Sequence, residues 1–346
     1  MTNYQLEPLP ADQQVRWDEL IASYPNRYLY HRKAWLDYIG ASQNAEIRFW
    51  AIREGSRIVG YFSGGVIRKG PYRILGSPLK GWCTNFMGPV FSEDFDEDAF
   101  FEAIHSLAEV ERFAMVEIEQ PAVSKDAFQR HGFEPVSCPN LVVRLEPGHP
   151  ERMWERLDSK VRTKVRKAKR MGLTAELTTD PAIAEIYYEQ FLERLVEKTY
   201  VPPYGRETPR LLCEYLMPHD LILALRVRDT KGQTIATALY PHDDETLYGW
   251  GRSSRSDAWE FCPNEYVQWM MIELAASRGL KYYNMCSYGK FFGKFGGDLE
   301  EVTRWHKFYS QTARFARTGY EIFHRQQIRL RGWWKNVSEK RSELRP

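Results

Sequence analysis

The chain has 346 residues, of which 43% are hydrophobic, 27% charged and 14% aromatic, and its net charge is +2. That length carries enough apolar material for two domains with full cores, and the near-neutral charge leaves any contact with a polyanion to a local patch. No apolar run approaches the roughly 20 residues that cross a bilayer; the first 20 residues hold Glu7, Asp12, Asp18 and Glu19 where a leader would be apolar; and Cys83, Cys138, Cys213, Cys262 and Cys286 make neither a disulfide frame nor a zinc site. The expectation is a cytoplasmic protein that uses no metal.

The first half reads as mixed α/β. Asp12–Ala22 is a predicted helix, a polar turn follows at Tyr24–Arg27, and His31–Ile39 is a second helix with Trp35 and Ile39 at helical spacing. Ile47–Arg53 and Ile58–Val66 are apolar runs split by Glu54-Gly55-Ser56, the pattern of a hairpin. From Gly64 to Gly88 glycines punctuate a stretch with Arg68, Lys69, Arg73 and Lys80 among Tyr72, Trp82 and Phe86. It reads equally as a mobile cationic loop for an acceptor and as strands with solvated charges. Asp96–Phe113 is a helix, Met115–Glu119 a strand, and Ala127–Gly132 a short helix.

The middle of the chain is the most charged. Lys160, Arg162, Lys164, Arg166, Lys167, Lys169 and Arg170 stand within eleven residues without one acid, while Trp154, Leu157, Val161, Val165 and Ala168 form one apolar stripe. The pattern predicts an amphipathic helix ended by Gly172. Like charges one turn apart repel, so an anionic partner relieves a cost, and phosphates are the natural candidate.

The second half then repeats the order of the first. Leu221–Val227, the turn Asp229–Gly232 and Thr234–Tyr240 form a hairpin, with Ile235 equivalent to Ile58 at an offset of 235 − 58 = 177 residues. A helix Pro263–Arg278 follows, with Asn264 expected as N-cap and Val267, Met270, Met271, Leu274 and Ala275 on one face. Gly279 ends it, Leu280–Met285 is a strand, and Tyr288–Gly297 is a loop rich in glycine and lysine. A duplicated α/β unit explains the repeat. The expected boundaries are a first domain at 1–145 on the acceptor side, a second at 146–311 on the donor side, and a basic helical tail at 312–346, bearing Trp333 and Trp334, that packs on the first.

The segment Arg162-Thr-Lys-Val-Arg-Lys-Ala-Lys-Arg-Met-Gly172 resembles the R-x-x-x-R-K-A-x-x-x-G stretch of the Fem-type (FemAB-like) transferases. Leu239–Gly251, the Pro263-Asn264 helix start, the Phe291–Gly297 loop and Glu197-Lys-Thr-Tyr-Val-Pro-Pro-Tyr204 match that family in order, over roughly residues 150 to 310. The resemblance implies two tandem GNAT-like domains, each a mixed, mostly antiparallel sheet flanked by helices. It also implies transfer of an aminoacyl group from aminoacyl-tRNA to an amine, on a peptidoglycan precursor or a small metabolite. Relatives that use acyl-CoA make a coenzyme A-dependent N-acyltransferase the first alternative; an RNA-binding protein without catalysis is one of another class. Two departures stand out. The family's Phe-Lys pair is Phe291-Phe292 here, flanked by Lys290 and Lys294, and its Thr-x-Arg is Thr199-Tyr200-Val201, with Arg206 the nearest cation.

Aminolysis of an ester or thioester needs a neutral amine, close approach to the carbonyl and stabilisation of the oxyanion. Lys290 and Lys294 are candidates for the oxyanion or a 3′-terminal phosphate, Tyr248 for the reacting centre and Asp257 for the proton. The donor's candidate contacts are Lys160, Arg162, Lys164, Arg166, Lys167, Lys169, Arg252, Arg255 and Asn264. The acceptor's are Tyr30, His31, Trp35, Trp82, Thr199, Tyr204, Arg206, Trp250 and Tyr288. No Ser/His/Asp set stands out, so direct attack without an acyl-enzyme is expected. The loop from Gly251 to Pro263 lacks the second glycine with which acetyl-CoA enzymes hold a pyrophosphate, and the basic helix favours the 3′ end of a tRNA.

Overall fold

The structure is a computed structural model that describes residues 3–198 and 202–319. The chain runs through β1 (Tyr4–Pro8), α1 (Ala11–Val15), α2 (Trp17–Ile21), α3 (Lys33–Gln43), β2 (Glu46–Glu54), β3 (Arg57–Lys69), β4 (Tyr72–Ser77) and β5 (Pro89–Phe91). Next come α4 (Glu97–Val110), β6 (Phe113–Ile118), α5 (Lys125–Arg130) and β7 (Glu134–Ser137). The second half holds β8 (Asn140–Arg144), α6 (Pro150–Arg156), α7 (Ser159–Arg170), β9 (Thr174–Leu177), α8 (Ile183–Lys198) and α9 (Glu207–Leu216). After these follow β10 (Ile222–Arg228), β11 (Thr234–Pro241), β12 (Thr246–Tyr248), β13 (Gly251–Ser254), α10 (Pro263–Ser277), β14 (Tyr282–Asn284), β15 (Asp298–Glu300) and β16 (Thr303–Phe308). No helix of the described residues is long and apolar enough to cross a membrane.

Both lobes use the same order: hairpin, strand, helix, strand. In the first, β2 and β3 pair from Glu46↔Val66 to Glu54↔Arg57 around Gly55, whose φ of +60° suits the turn. Side chains alternate across this sheet. Phe49 and Ala51 therefore join the core beneath α3, while Trp50 and Ile52 join the one beneath α4. The segment from Gly64 to Ser77 is thus strands with solvated charges: Arg68 and Lys69 are exposed at the β3–β4 turn, and Arg73 pairs with Glu111 at 2.9 Å.

The lobes exchange a strand. The first sheet has the order β1-β2-β3-β4-β6-β16-β7, so a strand from the end of the second half sits between two strands of the first. Conversely β8, which follows β7 directly, lies inside the second lobe between β14 and β15. This crosses the expected boundary at 145/146: residues 140–144 belong to the second lobe's sheet and 303–308 to the first's. The start of the tail, helical at 311–319, reaches the first lobe through Arg314 to Glu134 at 2.7 Å and Arg317 to Glu117 at 3.1 Å. Trp333 and Trp334 lie outside the described residues.

Three predicted helices differ in detail. The first breaks at Arg16, where Trp17 turns inward to donate its indole N–H to the His31 carbonyl at 2.7 Å. The second runs from Lys33 to Gln43, beyond the predicted end. The basic helix is two helices, separated where Leu157 is extended and Asp158 caps the new start by accepting the Lys160 N–H at 2.7 Å. The apolar stripe survives the break, since Leu157, Val161, Val165 and Ala168 are all buried in one cluster with α10.

Because each lobe contains a strand of the other, urea unfolding is expected to be one transition. Tryptophan fluorescence and far-UV circular dichroism should give the same midpoint; two resolved midpoints would contradict the exchange as a coupling device.

Candidate active site

The second lobe's sheet is split by a strand that changes partner. Residues 246–248 pair in parallel with β14, Tyr248 opposite Asn284. Three residues on, the same strand pairs antiparallel with β11, Gly251 opposite Leu239 and Ser254 opposite Ala236. Gly249 sits at the parting point and donates its N–H to the Asn284 carbonyl at 2.8 Å. A Cβ there would stand 3.0 Å from the Met285 oxygen, so glycine permits the close approach. Beyond it the chain on the other side turns away, Cys286 adopting φ +49°. The result is a wedge with Trp250–Ser254 as one wall and residues 286–295 as the other.

The second wall is anchored at its far end. Phe295 is fully buried, and the Lys294 carbonyl accepts the Asp158 N–H at 3.0 Å, tying the loop to the start of α7. Between these points Arg252 reaches across from β13, its guanidinium 4.5 Å from the Phe291 ring and 4.9 Å from Phe292. Lys290 and Lys294 are exposed on this loop, and Tyr288 is 62% exposed beside them.

The basic helix flanks the wedge. Lys164 meets Glu265 in the first turn of α10 at 2.6 Å, which sets α7 along the end of α10 that follows β13. Arg162 donates to the Glu155 carbonyl at 3.3 Å and Arg166 lies 5.4 Å from the Trp154 ring. Lys160, Lys169 and Arg170 are exposed and have no carboxylate partner among the described residues, and Lys167 has none either. Asn264 is not the N-cap: Cys262, at φ +57°, holds that place ahead of Pro263, and the Asn264 amide donates to Ser254 Oγ at 3.0 Å, linking α10 to β13. Asp257 is exposed and held by Arg255 at 2.6 Å. The hydrogen bond from Arg255 keeps its carboxyl below the ordinary range, which makes it a poor proton acceptor.

Where the lobes meet, Asp243 takes the Leu29 N–H and the Tyr248 hydroxyl, each at 2.9 Å. Tyr248 is buried and packs on Tyr30 at 4.9 Å, and Tyr30 in turn lies 3.8 Å from the Cys286 sulfur. Burial holds both phenols protonated and pushes the Cys286 thiol up to about 12, so no thiolate is available at neutral pH. Tyr248, Tyr28, Phe86, Asn284 and Glu300 line an interlobe cleft of about 390 Å³. Tyr204 stacks on Phe191 at 5.0 Å and on Trp250 at 5.4 Å and shares a 2.6 Å hydrogen bond with Tyr187. Arg206 is engaged by Glu185 and by the Tyr188 ring. Thr199 lies outside the described residues.

Trp35 and Trp82 are core side chains, with no free face for a substrate. Trp35 is fully buried and donates to Thr84 Oγ1 at 3.3 Å, and Trp82 packs so closely on Gly65 that a Cβ there would be 2.7 Å from its ring. Trp35 comes from α3, and Trp82 belongs to a plug packed against it. In the first lobe, the place corresponding to the wedge is filled by the chain's own residues 78–88. Glu117 accepts the Lys80 N–H at 2.6 Å, Glu119 accepts the Phe86 N–H at 3.0 Å, and Arg304 from β16 bonds Glu119 at 2.7 Å and the Thr84 carbonyl at 2.7 Å. Sequence reasoning missed Asp243 and Arg304: Asp243 joins the lobes through Leu29, 214 residues away, and Arg304 meets Glu119 across 185 residues.

The Acetyltransferase (GNAT) domain family matches residues 156–294. No curated protein matches the sequence. Among solved structures, FemX superposes with a TM-score of 0.71 at 12% identity, over 89% of this chain and 98% of that one. L-PGS from Bacillus licheniformis gives 0.55 at 12% identity, over 87% and 93%. A tandem GNAT protein from the clavulanic acid biosynthesis pathway gives 0.51 at 11% identity, over 88% and 98%. The chain therefore has a duplicated, Fem-like GNAT fold, the fold of a class of acyltransferases.

His31 supplies a test of the packing inside the first lobe. It is fully buried, its Nδ1 accepts the Tyr28 N–H at 3.0 Å, and burial lowers its pKa from 6.5 to about 4. The unfolded chain takes up a proton as pH falls through 6.5 while the folded protein refuses it until about 4. Stability from this residue is full above 6.5 and falls between 6.5 and 4, by about 3 kcal/mol. In urea titrations, the advantage of wild type over His31→Asn should shrink by that amount over this range; a constant difference would show that His31 titrates normally.

Proposed function

We propose that this chain transfers an aminoacyl group from aminoacyl-tRNA to an amine by direct aminolysis, within the second lobe's wedge. The observation that carries the reading is the asymmetry between the lobes: residues 78–88 plug the first, while the second keeps a parted strand pair flanked by a cationic helix. FemX, the structure that superposes at 0.71, favours this over a general acyl donor. The acceptor enters from the interlobe cleft beside Tyr248, and is either a peptidoglycan precursor or a small metabolite. Lys290 and Lys294, exposed on the loop, offer charge to the oxyanion or to a terminal phosphate. The protonated thiol of Cys286 supports attack by the amine itself in preference to an acyl-enzyme. The second reading is an N-acyltransferase that uses acyl-CoA, favoured by the match to the Acetyltransferase (GNAT) domain family.

Reversing Lys160, Lys169 and Arg170 to Glu tests the donor. These side chains are exposed and lack a carboxylate partner among the described residues, whereas Lys164 is bridged to Glu265 and its reversal would set two carboxylates together. Filter binding of charged tRNA should weaken by at least about tenfold and lose much of its salt dependence, with thermal unfolding nearly unchanged. Unaltered tRNA binding together with micromolar coenzyme A binding would sink the tRNA reading. Once a donor and acceptor pair is in hand, Lys290→Ala combined with Lys294→Ala should slow single-turnover transfer by about 10²-fold if they stabilise the oxyanion. Wild-type turnover in that variant would remove both lysines from the reacting centre, whereas tRNA binding that ignores charging, with no transfer to any acceptor, would favour a protein that binds RNA without catalysis.

A further inference from the structure

The face that the second lobe's sheet turns to the first lobe carries charge in a fixed order. Strand partners point to the same side of a sheet. Thr246, Tyr248, Tyr282, Asn284, Val142 and Arg144 therefore share one face, and so does Glu300, opposite Asn140. All seven line the interlobe cleft. The alternate residues Leu247, Tyr283, Leu141 and Val143 are buried in the cluster that includes α10. Register also sets positions along the strands. Strands β12 and β14 run toward the parting point, so Asn284 lies nearer to it than Tyr282. Arg144 stands level with Tyr282 and Val142 with Asn284. Glu300 stands two residues farther toward the parting end, and Glu301 follows it. Arg144 and Glu300 are thus four residues apart on neighbouring strands, about 13 Å at roughly 3.3 Å per residue.

Both ends of this row are uncompensated. Arg144 and Glu300 are exposed and take part in no ion pair among the described residues. The same holds for Glu301 and for Lys125, which line the cleft too, Lys125 from the first lobe. Glu146, the acid nearest Arg144 in the sequence, is held by Arg152 and Arg156. Asn284 accepts the Cys286 N–H on its side-chain oxygen at 2.8 Å, which leaves its NH2 group for a ligand.

We propose that the cleft holds a small zwitterionic acceptor, its carboxylate toward Arg144 and its amine toward Glu300 and Glu301. The proposal rests on the transfer reading above and narrows its acceptor. Exposed charges about 13 Å apart are largely screened from each other, so the two ends do not satisfy one another. A molecule with an acid at one end and an amine at the other meets both, and the polarity of the cleft fixes its direction. The amine then lies at the end where the sheet parts and the wedge begins. A nucleotide-linked acceptor would set phosphate oxygens against Glu300 and Glu301. The volume, about 390 Å³, is also at the small end for ligand sites.

The full chain is titrated calorimetrically with glycine, 4-aminobutyrate, 6-aminohexanoate and 8-aminooctanoate, which vary the distance from amine to acid without adding side chains. Matched derivatives remove one charge each: the N-acetyl compounds lack the ammonium and the amides lack the carboxylate. Affinity is expected to rise from glycine to the longer members, and each derivative to bind about tenfold or more weakly than its parent. Arg144→Gln should bind acid and amide alike. Glu300→Gln combined with Glu301→Gln should bind amine and N-acetyl derivative alike. All three positions are exposed, so thermal unfolding of these variants should stay near that of wild type. Absence of binding by every member, or variants that discriminate as wild type does, overturns the proposal. Tighter binding of uridine diphosphate glucose than of every ω-amino acid overturns it as well. Binding here needs no donor, so the two readings fail separately. Charge-selective binding without tRNA dependence on Lys160, Lys169 and Arg170 keeps the acceptor site and removes the tRNA donor; the converse removes the acceptor site only.

Discussion

One strand serving two partners is the constraint from which the site follows. β12 pairs in parallel with β14, β13 pairs antiparallel with β11, and neither partner follows the strand past the change, so the two half-sheets part at Gly249. What opens is a gap at the carboxyl ends of β12 and β14, bordered by the start of α10. In α/β sheets ligands bind at such places, where strand ends diverge and a helix N-terminus offers unpaired N–H groups. The wedge is a property of topology first and of side chains second. A side chain at Gly249 would press on the Met285 backbone and disturb the parting itself.

The exchange of β8 and β16 ties that site to the rest of the molecule. Each is an interior strand of the lobe it visits, so neither lobe has a closed sheet without the other's segment. The visiting strand also carries charge. Arg304 arrives on β16 with 6% exposure and meets Glu119, which has none. Removing Arg304 would leave Glu119 buried without its counter-ion, a loss of about 3–5 kcal/mol where such pairs have been broken. Glu119 and Arg304 together hold residues 78–88 in the first lobe, through Phe86 and Thr84. The plug that closes the first lobe thus depends on a residue supplied after the second lobe is complete.

Local signals in the sequence reached the elements and stopped short of the pairings. The hairpins at Ile47–Val66 and Leu221–Tyr240 were legible because period-two apolar runs and turn residues are short-range features. The stripe from Leu157 to Ala168 was legible for the same reason, although Asp158 interrupts the helix. The strand exchange left no local trace, since Asn140–Arg144 has the pattern of any buried strand whichever sheet receives it. Aromatic residues misled most: Trp35 and Trp82 look like cleft residues by type, and only the fold shows that they fill the first lobe's core. Arg304 and Asp243 were invisible because a charged residue acquires meaning only from what the fold sets beside it. The Fem-like resemblance extended the reading from elements to architecture, yet it said nothing of the plug.

The length of α7 bears on which donor suits the wedge. Its 12 residues, Ser159–Arg170, span roughly 18 Å, and Asp158 just ahead of them touches the wedge loop. Exposed charges are screened beyond about 8–10 Å at physiological salt. A ligand confined to the wedge would therefore feel Lys160 and Lys164 but scarcely Lys169 and Arg170. A polyanion lying along the helix would meet the whole row, and would compensate cations that have no carboxylate nearby. With a molecular net charge of only +2, this concentration cannot come from the composition as a whole; it is local, aligned, and longer than a small coenzyme's phosphates could use. That mismatch of length is the physical reason for proposing a polymeric donor.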